Sequence, residues 1–461
     1  MVAAAVSEHG RMVDPPTRMS MYQWLVVALC CLINVADGFD VVSLAVAAPV
    51  LSKEWIVDPA VLGTMFSASA VGLTFGAFVV APLADKIGRR PIMLGALGTL
   101  AAMLLLSGIA TNIWQLFVLR TITGVGLGTL VVCLNTTVAE CASDKSRNMA
   151  LATLHIGFTF GMMLGSGIAA LALQTSGWRM IFIAAGLINT LTFALSLFLL
   201  GESREFLVRR QAPGDLEKLN ALNRRMGIAP FPAMPLKPDA TKARGAILQA
   251  VLGPEMRTQT ILIWVASVTY AIVGYFLLNW KPTILANAGL TPTLAAASGI
   301  ITGACGALGH LAMGMLGRRV GEGRLTTIFF AAAAVSLVIF GIQPPDPIPL
   351  LAVAGITTFF VVGAYTGLFL VSVLMYPASA QNAGVGFVVG FGRIGAVIGP
   401  MLGGFLLSGG LSRMDTYFVF SAIAIVPAVT MYLATRVSSR RAQGATADLD
   451  VKGGLNAEPA R

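Results

Sequence analysis

Charge is scarce in this chain: Lys, Arg, Asp and Glu make up 11% of 461 residues, where a soluble domain carries roughly a quarter. So little charge excludes a solvated globular surface, and with 56% hydrophobic residues and a mean hydropathy of +0.81 the chain is a polytopic membrane protein. The five cysteines, Cys30, Cys31, Cys133, Cys141 and Cys305, have neither metal-ligand nor disulfide spacing and read as small packing residues. The polar segments lack a nucleophile elbow, a metal-ligand cluster and a phosphate-binding loop, which argues against an enzyme, a metal site and ATP-driven pumping. Alternating polar-out strands are missing too, so a barrel is excluded.

What is present is a series of long apolar runs. A helical span needs about 20 mainly apolar residues, and twelve such segments can be read, at 22–51, 61–84, 91–111, 113–138, 149–173, 179–200, 258–286, 291–316, 325–342, 348–375, 381–407 and 414–436. The expected fold is all-α, with twelve transmembrane helices in two six-helix halves, 22–200 and 258–436. Around them lie an amino-terminal segment (1–21), a polar central loop (201–257) and a tail (437–461) expected to be disordered. Within the loop, Asp215 to Arg225 has the pattern of a short amphipathic surface helix, and Pro230 to Pro238 reads as linker.

The net charge of +10 sorts by side of the membrane and does not point to a nucleic-acid partner. One side receives Arg11, Arg18, Lys86, Arg89, Arg90, Lys145, Arg147, ten basic residues of the 201–257 loop, Arg318, Arg319, Arg324 and the tail from Arg436. The other side has little beyond Lys53, Arg179 and Arg413. By the positive-inside rule both termini are cytoplasmic. The first apolar run is too long and too acidic for a secretory signal and is kept as a span.

That first run contains Asp37 and Asp40. A charge at the bilayer centre costs roughly 2.5–3.5 kcal/mol on insertion scales, so buried acids tend to line a proton or solute path. Spaced i, i+3, the two share a helix face; a plain hydrogen bond to a neighbouring helix is the alternative. An apolar setting and a second carboxylate one turn away both disfavour the charged form, which suits proton carriage. Arg393 lies near the middle of the eleventh segment, and its guanidinium fork matches a carboxylate, so an anionic substrate and a fixed bridge to Asp37 or Asp40 are both open. His155 and His310 can titrate near neutrality, or serve as hydrogen-bonded structural residues.

The halves echo each other. Asp85-Lys86-Ile87-Gly88-Arg89-Arg90 after the second span is matched, 229 residues later, by Gly314-Met315-Leu316-Gly317-Arg318-Arg319 after the eighth. Gly157, Gly161 and Gly165 of the fifth span are matched, 238 residues later, by Gly395, Gly399 and Gly403 of the eleventh. An ancient duplication accounts for both, and glycine at every fourth position permits close helix approach.

The Asp85-Lys86-x-Gly88-Arg89-Arg90 motif resembles the signature of the major facilitator superfamily, and the resemblance covers the whole chain. Within that superfamily, Asp37-Gly38-Phe39-Asp40, the Glu202-Ser203-Arg204-Glu205-Phe206-Leu207 run and the Arg393-Ile394-Gly395 segment resemble the aromatic acid:proton symporters of the 4-hydroxybenzoate and benzoate type. The resemblance implies import of an aromatic carboxylate with protons by alternating access across a bacterial inner membrane. It implies no cofactor beyond the proton motive force, the lipid bilayer and small solute as partners, and a monomer. The fifth span has Gly161-Met162-Met163-Leu164-Gly165 without the proline typical of antiporters, which favours symport. A carrier for a sugar or drug, or a non-transporting receptor for aromatic acids, are the competing readings.

Carried over residue by residue, Asp37, Asp40 and Arg120 are expected to couple protons. Arg120 resembles the fourth-helix motif of proton-coupled members; it can pair with a first-span acid or sit in a wet outer cavity. Asp85, Arg89, Arg90, Glu140 and Arg147 are expected to form a conformational latch, with a purely topological role open for the arginines. Arg393, Asp40, Asn135, Tyr270, Asn279, Trp280, Lys281 and Tyr365 are the expected substrate contacts in a midplane cavity between halves, to which Tyr275 and His155 could add. Departures from the family pattern are Ala81 where the signature opens with glycine, Gly314 at the acid position of the second copy, and Lys281, which either tunes substrate choice or snorkels to the interface.

Overall fold

A computed structural model describes residues 19–143, 145–235, 251–254, 256–376 and 381–455, apart from the side chains at 382 and 438–455. Arg11, Arg18 and the linker beyond 235 lie outside the described residues. Twelve helices among them are long and apolar enough to cross a membrane: Met21–Glu54, Pro59–Ile87, Arg89–Gly108, Ile113–Cys141, Arg147–Thr175, Arg179–Leu199, Arg257–Asn287, Pro292–Val320, Glu322–Ile342, Pro347–Met375, Ala383–Ser408 and Arg413–Val437. They are called spans 1 to 12. Hydropathy locates them well because the apolar run itself defines the span. The ends are set by polar chemistry: Ser20 and Gln23 form a capping box on span 1, and Asp58 accepts the Ala60 N–H ahead of Pro59 on span 2.

Two local differences from the sequence reading have physical causes. The start of the signature motif is not a loop but the end of span 2, which passes through a π turn at Gly76–Val80 and a 3-10 turn at Ala81–Leu83 to a last α turn at Ala84–Ile87. The chain reverses only at Gly88, whose φ of 116° favours glycine. In the second copy the helix runs past Gly317 and the turn falls at Gly321, φ 92°. The last helix continues to Leu455 beyond the span, where the tail was expected to lack structure; alanine, arginine and glutamine there are good helix formers.

The chain divides into two compact units. The first comprises Met1–Ala240, Leu278–Gly303 and Pro400–Ser408; the second comprises Thr241–Leu277, Ala304–Gly399 and Gly409–Arg461. Ends of spans 7, 8 and 11 thus belong with the first six spans. They are held there by backbone-close crossings, since a Cβ on Gly63 would meet the Pro400 carbonyl and the Gly404 Cα. In the first unit span 5 lies against span 1, with Gly161 under the Val35 carbonyl and Gly165 against Phe39. In the second, Gly395 and Gly399 of span 11 lie under the carbonyls of Val268 and Ile272 of span 7. The duplicated glycines make duplicated contacts. The polar loop supplies two short helices, Arg204–Arg210 and Asp215–Met226, joined by an Arg210–Asp215 fork at 2.5 and 2.9 Å and closed over Leu207, Val208 and Leu219.

Candidate functional site

Gly38 between the two acids lets span 1 press against the Phe158 carbonyl of span 5, which seals this stretch from solvent. Asp37 and Asp40 are 1% and 0% exposed. Asp40 Oδ1 accepts from Arg120 Nη1 at 2.5 Å and from Ser43 Oγ at 3.3 Å, while its backbone carbonyl accepts from Arg120 Nη2 at 3.4 Å and from Ser43 Oγ at 2.7 Å. Arg120 is itself buried, with its guanidinium 5.8 Å from the Phe182 ring centre. Of the two places open to Arg120 in the sequence, the structure takes the pairing with a first-span acid. Asp37 differs from Asp40: neither of its carboxylate oxygens makes a hydrogen bond among the described residues.

In the second unit Arg393 Nη1 donates to the Tyr275 hydroxyl at 3.1 Å. Tyr270 and Tyr365 stack 5.4 Å apart at 20°, and Trp264 stacks on Phe391 at 4.1 Å. His310 is hydrogen-bonded to Thr366, whereas His155 is exposed. This unit therefore groups one cation with a set of flat rings, which is a suitable wall for an aromatic anion.

The remaining expected contacts lie in the first unit. Trp280 is 1% exposed, donates its indole N–H to the Pro400 carbonyl at 2.8 Å and meets Phe66 edge-on. Lys281 donates to Thr302 Oγ1 at 2.5 Å, a contact with span 8 inside the protein. Asn135 bonds the Val131 carbonyl of its own helix at 2.7 Å, and Asn279 is half-buried on span 7.

The end of the first unit that carries the basic motif is a network of charges. Arg89 pairs with Glu140, and Glu140 accepts from Ser203 Oγ at 2.8 Å. Arg209 pairs with Asp85 at 3.2 Å. Glu202 Oε1 accepts from the N–H groups of Arg89 and Arg90 at 2.8 and 3.2 Å, which caps span 3 where the Gly88 turn leaves it open. Arg90 donates to the carbonyls of Leu197 and Leu200 at 2.8 Å, and Arg147 opens span 5. Glu202, Ser203 and Arg209 were not among the expected latch residues, although the Glu202-Ser203-Arg204 run at the end of span 6 was a usable signal. Tyr275, the partner of Arg393, carried no distinguishing signal among the tyrosines of spans 7 and 10.

A buried ion pair, a second buried acid, an arginine among rings and twelve apolar helices in duplicated order define a membrane transporter and not an enzyme. The chain belongs to the Major Facilitator Superfamily, whose profile matches residues 30–376. It is 30% identical to the gallate transporter of Pseudomonas putida, covering 85% of this chain and 87% of that one. It is also 30% identical to the 4-hydroxybenzoate transporter PcaK of the same organism, over 84% and 87% of the two chains. With the benzoate transport protein of Acinetobacter baylyi the identity is 26%, over 92% of each chain. Among solved structures, a bacterial homologue of the human lysosomal transporter Spinster shares the fold at a TM-score of 0.70 and 15% identity, over 90% of this chain and 98% of that one.

Proposed function

We propose that this protein imports an aromatic carboxylate together with protons by alternating access, as a monomer in a bacterial inner membrane with both termini cytoplasmic. The observation that carries the coupling is the difference between the two acids: Asp40 has its counter-ion in Arg120, whereas Asp37 is buried with both oxygens unsatisfied. An isolated carboxylate in such a place is costly enough that the group holds a proton instead, so we assign the transported proton to Asp37. Arg393, positioned by Tyr275, is the group we assign to the substrate carboxylate, with the Tyr270–Tyr365 stack beside the ring. Asn135, Asn279, Trp280 and Lys281 are assigned supporting roles around the solute. The network of Asp85, Arg89, Arg90, Glu140 and Arg147 is assigned to gating at the basic end, which the positive-inside rule makes cytoplasmic. The relatives named for gallate, 4-hydroxybenzoate and benzoate support the substrate class.

The test is uptake of a panel of labelled aromatic acids into membrane vesicles under an imposed pH gradient, acid outside. Accumulation should follow the gradient and vanish with a protonophore. Accumulation that survives the protonophore would overturn symport, and binding without accumulation would make the protein a receptor.

A further inference from the structure

The basic end of the first unit holds a cavity of about 50 Å³ that shares Arg89, Arg90 and Glu140 with the proposed gate but also reaches Arg204, which the transport reading does not use. It lies among the ends of spans 1, 3 and 4 and the two short helices of the connecting loop. Its charged lining consists of Arg89, Arg90 and Arg204 against Glu140 and Glu202. Four of these five are satisfied. Arg89 pairs with Glu140, Arg90 donates to two backbone carbonyls, Glu140 accepts from Ser203, and Glu202 accepts from the N–H groups of Arg89, Arg90 and Ser203.

Arg204 is the exception: its Nε and Nη2 are buried and make no hydrogen bond. Burial lowers its pKa to about 10, against the opposing fields of Cys141 and Glu205, so it is still a cation at neutral pH. A buried charged donor without an acceptor is costly. Nε and one Nη of a guanidinium form the edge that grips two oxygens of an oxoanion. The cavity suits a small one, and it lies at the ends of three spans, where an apolar run that crosses the hydrocarbon core gives way to the headgroup region.

We propose that this cavity binds a phosphate group, held on the Nε–Nη2 edge of Arg204, and that the bound anion fastens the connecting loop to spans 1, 3 and 4. The phosphate can come from solution or from an anionic phospholipid headgroup, and the experiment separates the two.

The purified full-length protein is heated with inorganic phosphate or with chloride at matched ionic strength, and separately in nanodiscs of phosphatidylglycerol or phosphatidylcholine. The expected result is a Tm raised by several degrees with phosphate, with phosphatidylglycerol, or with both. A rise with phosphate alone assigns a soluble anion, and a rise with phosphatidylglycerol alone assigns a headgroup. Arg204→Gln should abolish the rise. Leu222→Trp, which fills the cavity and keeps the charge, should abolish it too, so the test stands even if Arg204→Gln does not fold. In protein with Cys31 and Cys305 replaced by alanine, the same probe should slow alkylation of Cys141, which lines the cavity, several-fold. No rise with either probe, or an equal rise in Leu222→Trp, overturns the proposal.

Discussion

Asp37 and Asp40 are one helical turn apart, and substitution should separate them. Asp40→Asn leaves Arg120 buried without its counter-ion, a change that costs about 3–5 kcal/mol when one partner of a buried pair is removed. The variant should therefore show a lowered Tm and poor yield, and Asp40→Asn combined with Arg120→Gln should recover part of both. Asp37→Asn removes no hydrogen bond from any described neighbour, so its Tm should stay near that of the parent. It should still exchange labelled for unlabelled aromatic acid across vesicles while losing accumulation against a pH gradient. Full accumulation by Asp37→Asn would move the proton elsewhere. The acids were legible because a charge is conspicuous in an apolar run of a chain with so few. Their different environments were not, because the register of span 4 against span 1, which delivers Arg120 to Asp40 and not to Asp37, is a matter of how two helices 80 residues apart are set side by side, which a linear pattern does not order. Tyr275 was obscured for a related reason: which of several tyrosines reaches Arg393 is a matter of helix rotation.

Helices in this fold meet through glycine backbones, and two glycines make a matched test. A Cβ at Gly161 of span 5 would meet the Val35 carbonyl of span 1, a backbone atom that cannot swing aside, whereas one at Gly95 of span 3 would meet nothing within 4 Å. Gly161→Ala should lower both Tm and uptake. Gly95→Ala should leave uptake unchanged and be neutral or stabilising, by up to about 1 kcal/mol from helix propensity. Gly399→Ala, against the Ile272 carbonyl in the duplicated place, should behave like Gly161→Ala. The spans and their duplication were readable because hydropathy and glycine spacing are linear properties. The π turn at Gly76–Val80 and the helical course of the signature segment were not, since they follow from which carbonyl each N–H finds. The turn at Gly88 could have been inferred from the glycine, but the sequence has 50 glycines and only some stand at positive φ.

For the whole molecule the proposed cycle requires that contacts at the two ends of the helices form and break in turn. At the basic end the side chains of Asp85 and Arg209 are about half exposed, so their ion pair is worth about 0–1 kcal/mol. Asp85→Asn should leave Tm unchanged, and a fall in uptake rate without a fall in Tm would mark the pair as a gate. At the opposite end Asp58 caps span 2 and accepts from Ser408 Oγ of span 11 at 2.9 and 3.1 Å, next to the Gly63–Gly404 crossing. The sequence offered no sign of this contact, which joins residues 350 positions apart. Alternating access predicts that it opens once per cycle. Cysteines at both positions, Asp58→Cys with Ser408→Cys in a background without the native cysteines, replace two side chains that touch, and a disulfide between them is the means of locking the contact. Oxidation should then stop uptake and a reductant should restore it, while the Asp58→Cys single variant, which loses a helix cap worth about 1 kcal/mol and the Ser408 bond but has no second thiol to pair with, should respond to neither. Uptake that continues with the disulfide intact would mean that spans 2 and 11 stay joined here throughout transport, and the solute would have to leave the opposite face by a path that does not part them.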